Sequence, residues 1–349
     1  MKVALVTDLH FGVRNDHTLF AEYQQRFFEN TFWPKVKAEC DAMICLGDTF
    51  DRRRYINYKS LTYAKQMFFD HIAEWGKPCH MIIGNHDTYY RKKNEINSPS
   101  LLYSQILDNT HFYQSVPEEV QIGDVDVLMV PWIASEHAAE AGDIISKSNA
   151  QVVFGHLEVN GFPMHPGMVC QTGADPAMYK KYEQVYSGHF HHQTKIGNIH
   201  YIGNAYQLTW SDYGDDRGFH IWDTATLDTT FYKNPERIFE AVNYDDSDAM
   251  VPVPSNLKNK MVKVFVKKKE NPTFYDNWLT SIQDQDPADL SIIENMTEML
   301  DGEVMIETRD TLKLLKEYVD LLELGKGGDE LVHLLSDLYQ EAGQTKDII

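Results

Sequence analysis

From residue 1 to about 235 the chain alternates short apolar runs with longer stretches in which apolar residues recur at helical spacing. The short runs predict strands at Val3–Thr7, Ala42–Leu46, His80–Ile83, Val125–Pro131, Val152–Gly155, Val185–Ser187, His200–Ile202 and Phe219–Asp223. The longer stretches predict helices at Thr18–Ala38, Ser60–Trp75, Ser100–Leu107 and Glu136–Ser146. This is the pattern of an α/β domain whose sheets are covered by helices. After Val130 the strand candidates come closer together, which predicts a second layer of α+β type that is largely antiparallel.

Near Pro235 the texture changes, and the acidic, proline-bearing stretch Asp245–Pro254 has the composition of a boundary between units. Beyond it, Met261–Lys267 reads as a strand, Thr273–Ile282 as a helix and Leu290–Glu294 as a strand, together a small α+β module. Two further helical patterns follow, Asp310–Leu322 and Glu330–Ala342, separated by Gly325, Gly327 and Gly328. The organisation expected is therefore a domain over 1–237, a small module over 238–300 and a helical tail over 301–349.

The 349 residues suffice for a sizeable core, and no apolar run approaches the ~20 residues of a membrane span. The opening MKVALVT runs into polar residues without a small-residue cleavage site, which points to a cytoplasmic protein with no membrane attachment. Cys40, Cys45, Cys79 and Cys170 show no CxxC spacing and read as buried free thiols. A net charge of -20 opposes broad attraction to a polyanion, so any nucleic-acid contact needs local basic clusters or a partner's surface.

The residues that carry chemistry sit where strands run out. Asp8 and His10 follow the first strand, and side chains two apart in an extended segment share a face. Asp48 follows Gly47 at the end of the second, where its carboxylate can bridge two cations. After the third comes Gly84-Asn85-His86-Asp87: a neutral oxygen ligand, an imidazole free to face a substrate, and a carboxylate placed to fix the His86 tautomer. His156 follows Gly155, and Gly188 precedes His189, His191 and His192, of which His192 is expected to point away. A single histidine is most often a core or surface residue, and there are 15 here. The ordered set Asp, His, Asp, Asn, His, His, His at five strand ends is not explained that way. Oxygen and imidazole ligands without thiolate suit Mn²⁺, Fe²⁺ or Zn²⁺, and seven ligands with one shared carboxylate suit two ions about 3.5–4 Å apart.

In this motif order the sequence resembles the calcineurin-like metallophosphoesterases, and more closely the SbcD/Mre-eleven recombination nucleases, especially the shorter ones of tailed phages. The resemblance rests on DLHFG at 8–12, GDTFD at 47–51, GNHD at 84–87, YIGNAYQL at 201–208, and Arg217-Gly218-Phe219 with Ile221-Trp222-Asp223. It implies a metallophosphoesterase β-sandwich flanked by helices, with a DNA-capping-like module. It implies two divalent ions, Mn²⁺ first among Mn²⁺, Fe²⁺, Zn²⁺ and Mg²⁺. Asp8, His10, Asp48 and His191 would hold one, and Asp48, Asn85, His156 and His189 the other. His86 and Asp87 would be catalytic. The activity implied is exonuclease action on duplex DNA and endonuclease action on single strands, in DNA recombination, repair and replication. The partners implied are a second copy of the chain and an SbcC/Rad-fifty-type ATPase, docked on the helices at 308–342. Where many family members carry a histidine beyond the bridging aspartate, this chain has Asp51.

Basic and aromatic residues flank two of the metal loops and are candidates for DNA contact: Arg52, Arg53, Arg54, Tyr89, Arg91, Lys92 and Lys93. Lys267, Lys268 and Lys269 form a third cluster. The chain has no GxxxxGK[ST] loop and is not expected to bind ATP itself. Two rival readings remain. GDTFDRR is similar to a loop of serine/threonine protein phosphatases, so a phosphomonoesterase is one alternative; a non-catalytic scaffold on the same fold is the other.

Overall fold

The computed structural model describes residues 1–294 except 166–167 and 248–250; the expected helices at 310–322 and 330–342 lie outside them. Two six-stranded sheets face each other. The first comprises β1 (Lys2–Val6), β2 (Ala42–Cys45), β3 (Cys79–Ile82), β4 (Thr110–Tyr113), β13 (Gly218–Asp223) and β14 (Thr229–Lys233), in the order β14-β13-β1-β2-β3-β4. The second comprises β5 (Glu118–Ile122), β6 (Val125–Val130), β7 (Val152–Gly155), β10 (Gln184–Ser187), β11 (Thr194–Ile196) and β12 (Ile199–Tyr201), in the order β11-β12-β10-β7-β6-β5. Between β7 and β10 lies a two-stranded ribbon, β8 (Pro163–His165) and β9 (Met168–Val169).

Alternation along the strands sorts the core into layers. Val3, Leu5, Ile44 and Ile82 of the first sheet meet Val127, Met129, Val152 and Phe154 of the second. Ala4, Val6, Met43 and Met81 point the other way, onto helices. Strands buried on both faces are apolar throughout, which is why VALV and AMIC were legible as strands.

The helices over the first sheet are α1 (Thr18–Phe27), which passes through a π-helical turn at Phe28–Phe32 into α2 (Trp33–Glu39), and α3 (Tyr58–Ala64), which passes through another at Lys65–Phe69 into α4 (Asp70–Trp75). Each was expected as one regular helix. The widened turns bring Phe28 and Phe68 to 5.4 Å from each other and about equally close to Phe11, packing the aromatic layer behind the metal loops. α5 (Ser98–Tyr103) starts two residues earlier than expected, with Pro99 in its first turn and the Asn97 side chain capping Ser100 N–H. α6 (Ala138–Lys147) covers the second sheet.

The second layer is not largely antiparallel. β6, β7, β10 and β12 are mutually parallel, and only the edges β5 and β11 run against them. Close spacing had suggested hairpins; within this sheet the stretch after Val130 holds one, β11–β12, and its other strands are joined by crossovers. Nor does Asp245–Pro254 separate two units: it connects β15 (Phe239–Asp245) to β16 (Met261–Lys268), which pair in parallel, with β17 (Asp289–Glu294) on the far side of β16. α7 (Pro272–Gln283) packs Tyr275, Trp278 and Ile282 on this small sheet. Phe239, at the start of β15, packs on Phe20 and Trp210 of the main core.

All four cysteines are buried and free. Among the described residues no helix is long and apolar enough to cross a membrane.

Candidate metal centre

β1, β2 and β3 of one sheet and β7 and β10 of the other deliver their carboxyl ends to the same place. Asp8 and His10 do not get there as alternating strand residues. The strand ends at Val6, and both take left-handed backbone angles, φ 52° and 44°, held by Asp8 N–H on the Gly47 carbonyl and His10 N–H on the Asp48 carbonyl. The turn brings the pair together where extended geometry would have carried the chain past the site.

The side chains form two groups. Asp8, His10 and His191 bring ligand atoms within 4.8 Å of one another, and so do Asp48, His156 and His189. Asn85 joins the second group, its Oδ1 3.0 Å from His156 Nε2. Asp48 Oδ2 lies 3.3 Å from His156 Nε2 and 3.8 Å from His10 Nε2, so one oxygen is within reach of both groups. All seven expected ligands are brought together.

The donor set fits cations. The Leu46 carbonyl can only accept, so His156 Nδ1, 2.7 Å away, carries a hydrogen, which leaves Nε2 facing the oxygens of Asn85 and Asp48. His10 Nε2 and His191 Nε2 face each other at 3.2 Å. Oxygens and ring nitrogens that converge this closely can hold a positive charge among them, a proton or a metal ion. Burial works to raise the pKa of Asp48, but the charges of His156 and His86 outweigh it and hold the carboxylate well below its usual range. Burial, then repulsion from His156, lowers His189 to about 3, leaving a neutral imidazole ready as a ligand.

Close approach explains two of the glycines. A Cβ on Gly84 would stand 2.2 Å from Asp48 Oδ1, and one on Gly188 2.0 Å from Thr7 Oγ1. Only a bare backbone lets these loops pass so near the carboxylates.

His86 is half-buried, and its ring is fixed by Nδ1 donating to the Asp51 carbonyl at 2.7 Å, which leaves Nε2 free to face a substrate. Asp87, expected to orient that ring, is engaged elsewhere. It is fully buried and accepts N–H bonds from Gly84 (2.9 Å), Thr49 (2.9 Å) and Phe50 (3.2 Å), tying the second metal loop to the third. The Asp51 side chain reaches to 3.3 Å from His10 Nδ1. Asp51 thus touches both a candidate ligand and His86, a role that no local sequence pattern signals.

Sequence reasoning also missed Arg217. Buried at 3% exposure, it donates to the His191 carbonyl, to Asn204 and to Asp212 at 2.9 Å, with Asp215 at 3.3 Å. His192 turns away from the ligands, as expected, and bonds Asp215. A lone arginine before a strand carries no mark of such a buried network.

The candidate DNA contacts divide. Arg52 is committed to Asp16 at 3.0 Å and Asn15 at 2.7 Å, and Lys93 to Glu136 at 3.0 Å. Arg53 bonds Thr88 at 3.0 Å and lies over Trp132, also tied into the protein. Arg54 stacks over exposed Tyr89 at 6.0 Å, and Arg91 and Lys92 are exposed.

Residues 1–193 match the family model described as calcineurin-like phosphoesterase. Over 347 residues the chain is 28% identical to the exonuclease subunit 1 of Enterobacteria phage T4, spanning 99% of this chain and 100% of that one. Two solved structures share a distant likeness. An archaeal phosphodiesterase aligns at 12% identity over 67% of this chain and all of its own, with a TM-score of 0.32. A protein from Aquifex aeolicus aligns at 15% identity over 45% of this chain and 80% of its own, with a TM-score of 0.28. The match covers more than half the chain, and this protein belongs to the calcineurin-like phosphoesterase family.

Proposed function

We propose that this chain is a two-metal DNA nuclease that hydrolyses phosphodiester bonds with Mn²⁺, acting on duplex ends and on single strands. The observation that carries this reading is the carboxylate of Asp48 within reach of two ligand groups, beside the open imidazole of His86. Family membership implies divalent metal ions, and two such ions held here would lower the pKa of a bound water and neutralise the phosphodiester. Asp8, His10, Asp48 and His191 are the ligands of one ion, and Asp48, Asn85, His156 and His189 of the other.

His86, its Nδ1 hydrogen committed to Asp51, presents Nε2 to the leaving oxygen as a proton donor or hydrogen-bond partner. The name of the phage relative, an exonuclease subunit, supports DNA as substrate and assembly with a second kind of subunit. We take that subunit to be an SbcC/Rad-fifty-type ATPase docking on 301–349, with 238–300 capping the DNA over the 1–237 domain, in the cytoplasm, during recombination and repair. We take the chain to act as a homodimer.

The test is degradation of end-labelled linear duplex by the purified full chain with Mn²⁺, beside Asp48→Ala and with p-nitrophenyl phosphate as a monoester control. Duplex cleavage lost in the variant supports the nuclease; monoester turnover without DNA cleavage would replace it with a phosphomonoesterase.

A further inference from the structure

Directly after the ligands Asp8 and His10 the backbone makes a left-handed turn. Gly12 opens it at φ 96°, and Arg14, Asn15 and Asp16 follow at 55°, 58° and 59°. Glycine, asparagine and aspartate tolerate that region, but a long side chain such as arginine gains nothing from it. The turn is clamped from outside. Asp16 accepts from Ser60 Oγ at 2.6 Å and from Arg52 at 3.0 Å, and Arg52 also donates to Asn15 Oδ1 at 2.7 Å. What the clamp presents is an exposed Arg14, anchored through Nε on the Leu208 carbonyl at 3.2 Å.

Two residues beyond Leu208, the Trp210 ring carries Lys263 of β16, with Nζ 4.3 Å from the ring centre. Arg14 and Lys263 therefore converge on the segment 208–210, one from the metal loop and one from the small sheet. Burial, then repulsion from Arg14, pushes the Lys263 ammonium below its usual range, with Asp289 on the neighbouring strand opposing. Among the described residues neither cation has a carboxylate in ion-pair contact. Arg52, Lys93 and Lys260 by contrast are all paired with one. In a chain of net charge -20, two adjoining cations that no carboxylate touches, one of them on a strained turn, form an arrangement that an anion completes.

We propose that Arg14 and Lys263 together bind a DNA backbone phosphate other than the one being cut, fixing how the strand lies over the metal loop. The proposal rests on the nuclease reading above. The guanidinium supplies a planar fork for two phosphate oxygens and the ammonium a point charge beside it.

The test compares Arg14→Gln and Lys263→Gln in the full chain with wild type, and with Lys195→Gln as a control for net charge. Initial rates are measured on linear duplex DNA across a salt series and on bis-p-nitrophenyl phosphate, a diester that carries no second phosphate for the pair to hold. Each variant is expected to lose about five- to tenfold in kcat/KM on duplex and to flatten its dependence on log salt by about one unit. Turnover of the small diester should stay at the wild-type level, and Lys195→Gln should match wild type throughout. Wild-type salt dependence in both variants would overturn the proposal, and so would an equal loss on the small diester, which would make the turn merely structural. A wild-type chain that cleaves no duplex would instead overturn the nuclease reading, and the role of the pair with it.

Discussion

The carboxylate of Asp48 lies 3.3 Å from His156 Nε2, and the other nitrogen of that ring has already given its hydrogen to a carbonyl. The contact is therefore held either by a proton on Nε2 or by a metal ion. Because the same oxygen reaches toward His10, replacing Asp48 should empty both halves of the site. For Asp48→Ala we expect Mn²⁺ binding by calorimetry to fall from two ions to no measurable one. Hydrolysis should fall by at least about a thousandfold, the several kcal/mol that bound metal contributes to the transition state.

A proton and an ion compete for the same lone pairs. Burial disfavours a proton on His10 and His156, but Asp51 beside the one and Asp48 beside the other outweigh it and raise both to about 9. Below that value the proton must leave before an ion enters, so Mn²⁺ affinity should rise with pH up to about 9 and weaken as pH falls. The rise should be about tenfold per pH unit for each proton displaced. Calorimetry in buffers of different ionisation heat would count the protons released.

His86 lies outside both ligand groups proposed for the ions. His86→Gln should leave Mn²⁺ stoichiometry intact while lowering kcat by roughly 10²–10⁴-fold, the usual range for a positioned acid or base. Equal losses of metal and of rate would place His86 among the ligands instead.

Asp87 satisfies three buried N–H groups from two loops. Asp87→Ala orphans all three and should destabilise the fold by about 3 kcal/mol, read as a lowered Tm or urea midpoint. The shape of the pH–rate profile should not change, since the tautomer of His86 is set by Asp51.

Arg217 holds the loop of His191 through its carbonyl, and its removal leaves Asp212, at 1% exposure, without the cation paired with it. Arg217→Met should cost about 3–5 kcal/mol of stability and loosen the ion held by His191 more than the one held by His189.

What was legible in the sequence depended on burial. Central strands such as Val3–Thr7 and Val152–Gly155 are apolar on both faces and announced themselves. The strands not foreseen were β4, β5, β11, β14 and β15, each at the edge of its sheet, and the short β8–β9 ribbon. Edge strands such as EEVQI and TTFYK face water on one side and mix charge with apolar residues, which erases the signal. The ligands were legible because glycine, carboxylate and imidazole recur together at strand ends. Arg217 and the carbonyl of Asp51 were not, since a buried guanidinium and a backbone oxygen act through tertiary neighbours that no local pattern records.

The measurement that bears most directly on two-metal hydrolysis is a Mn²⁺ titration of the metal-free full chain, following bound metal and cleavage of linear duplex DNA in the same samples. Cleavage should stay near zero while the first ion per chain is taken up and rise only with the second. Full activity at one ion per chain, or cleavage that survives in Asp48→Ala, would contradict it.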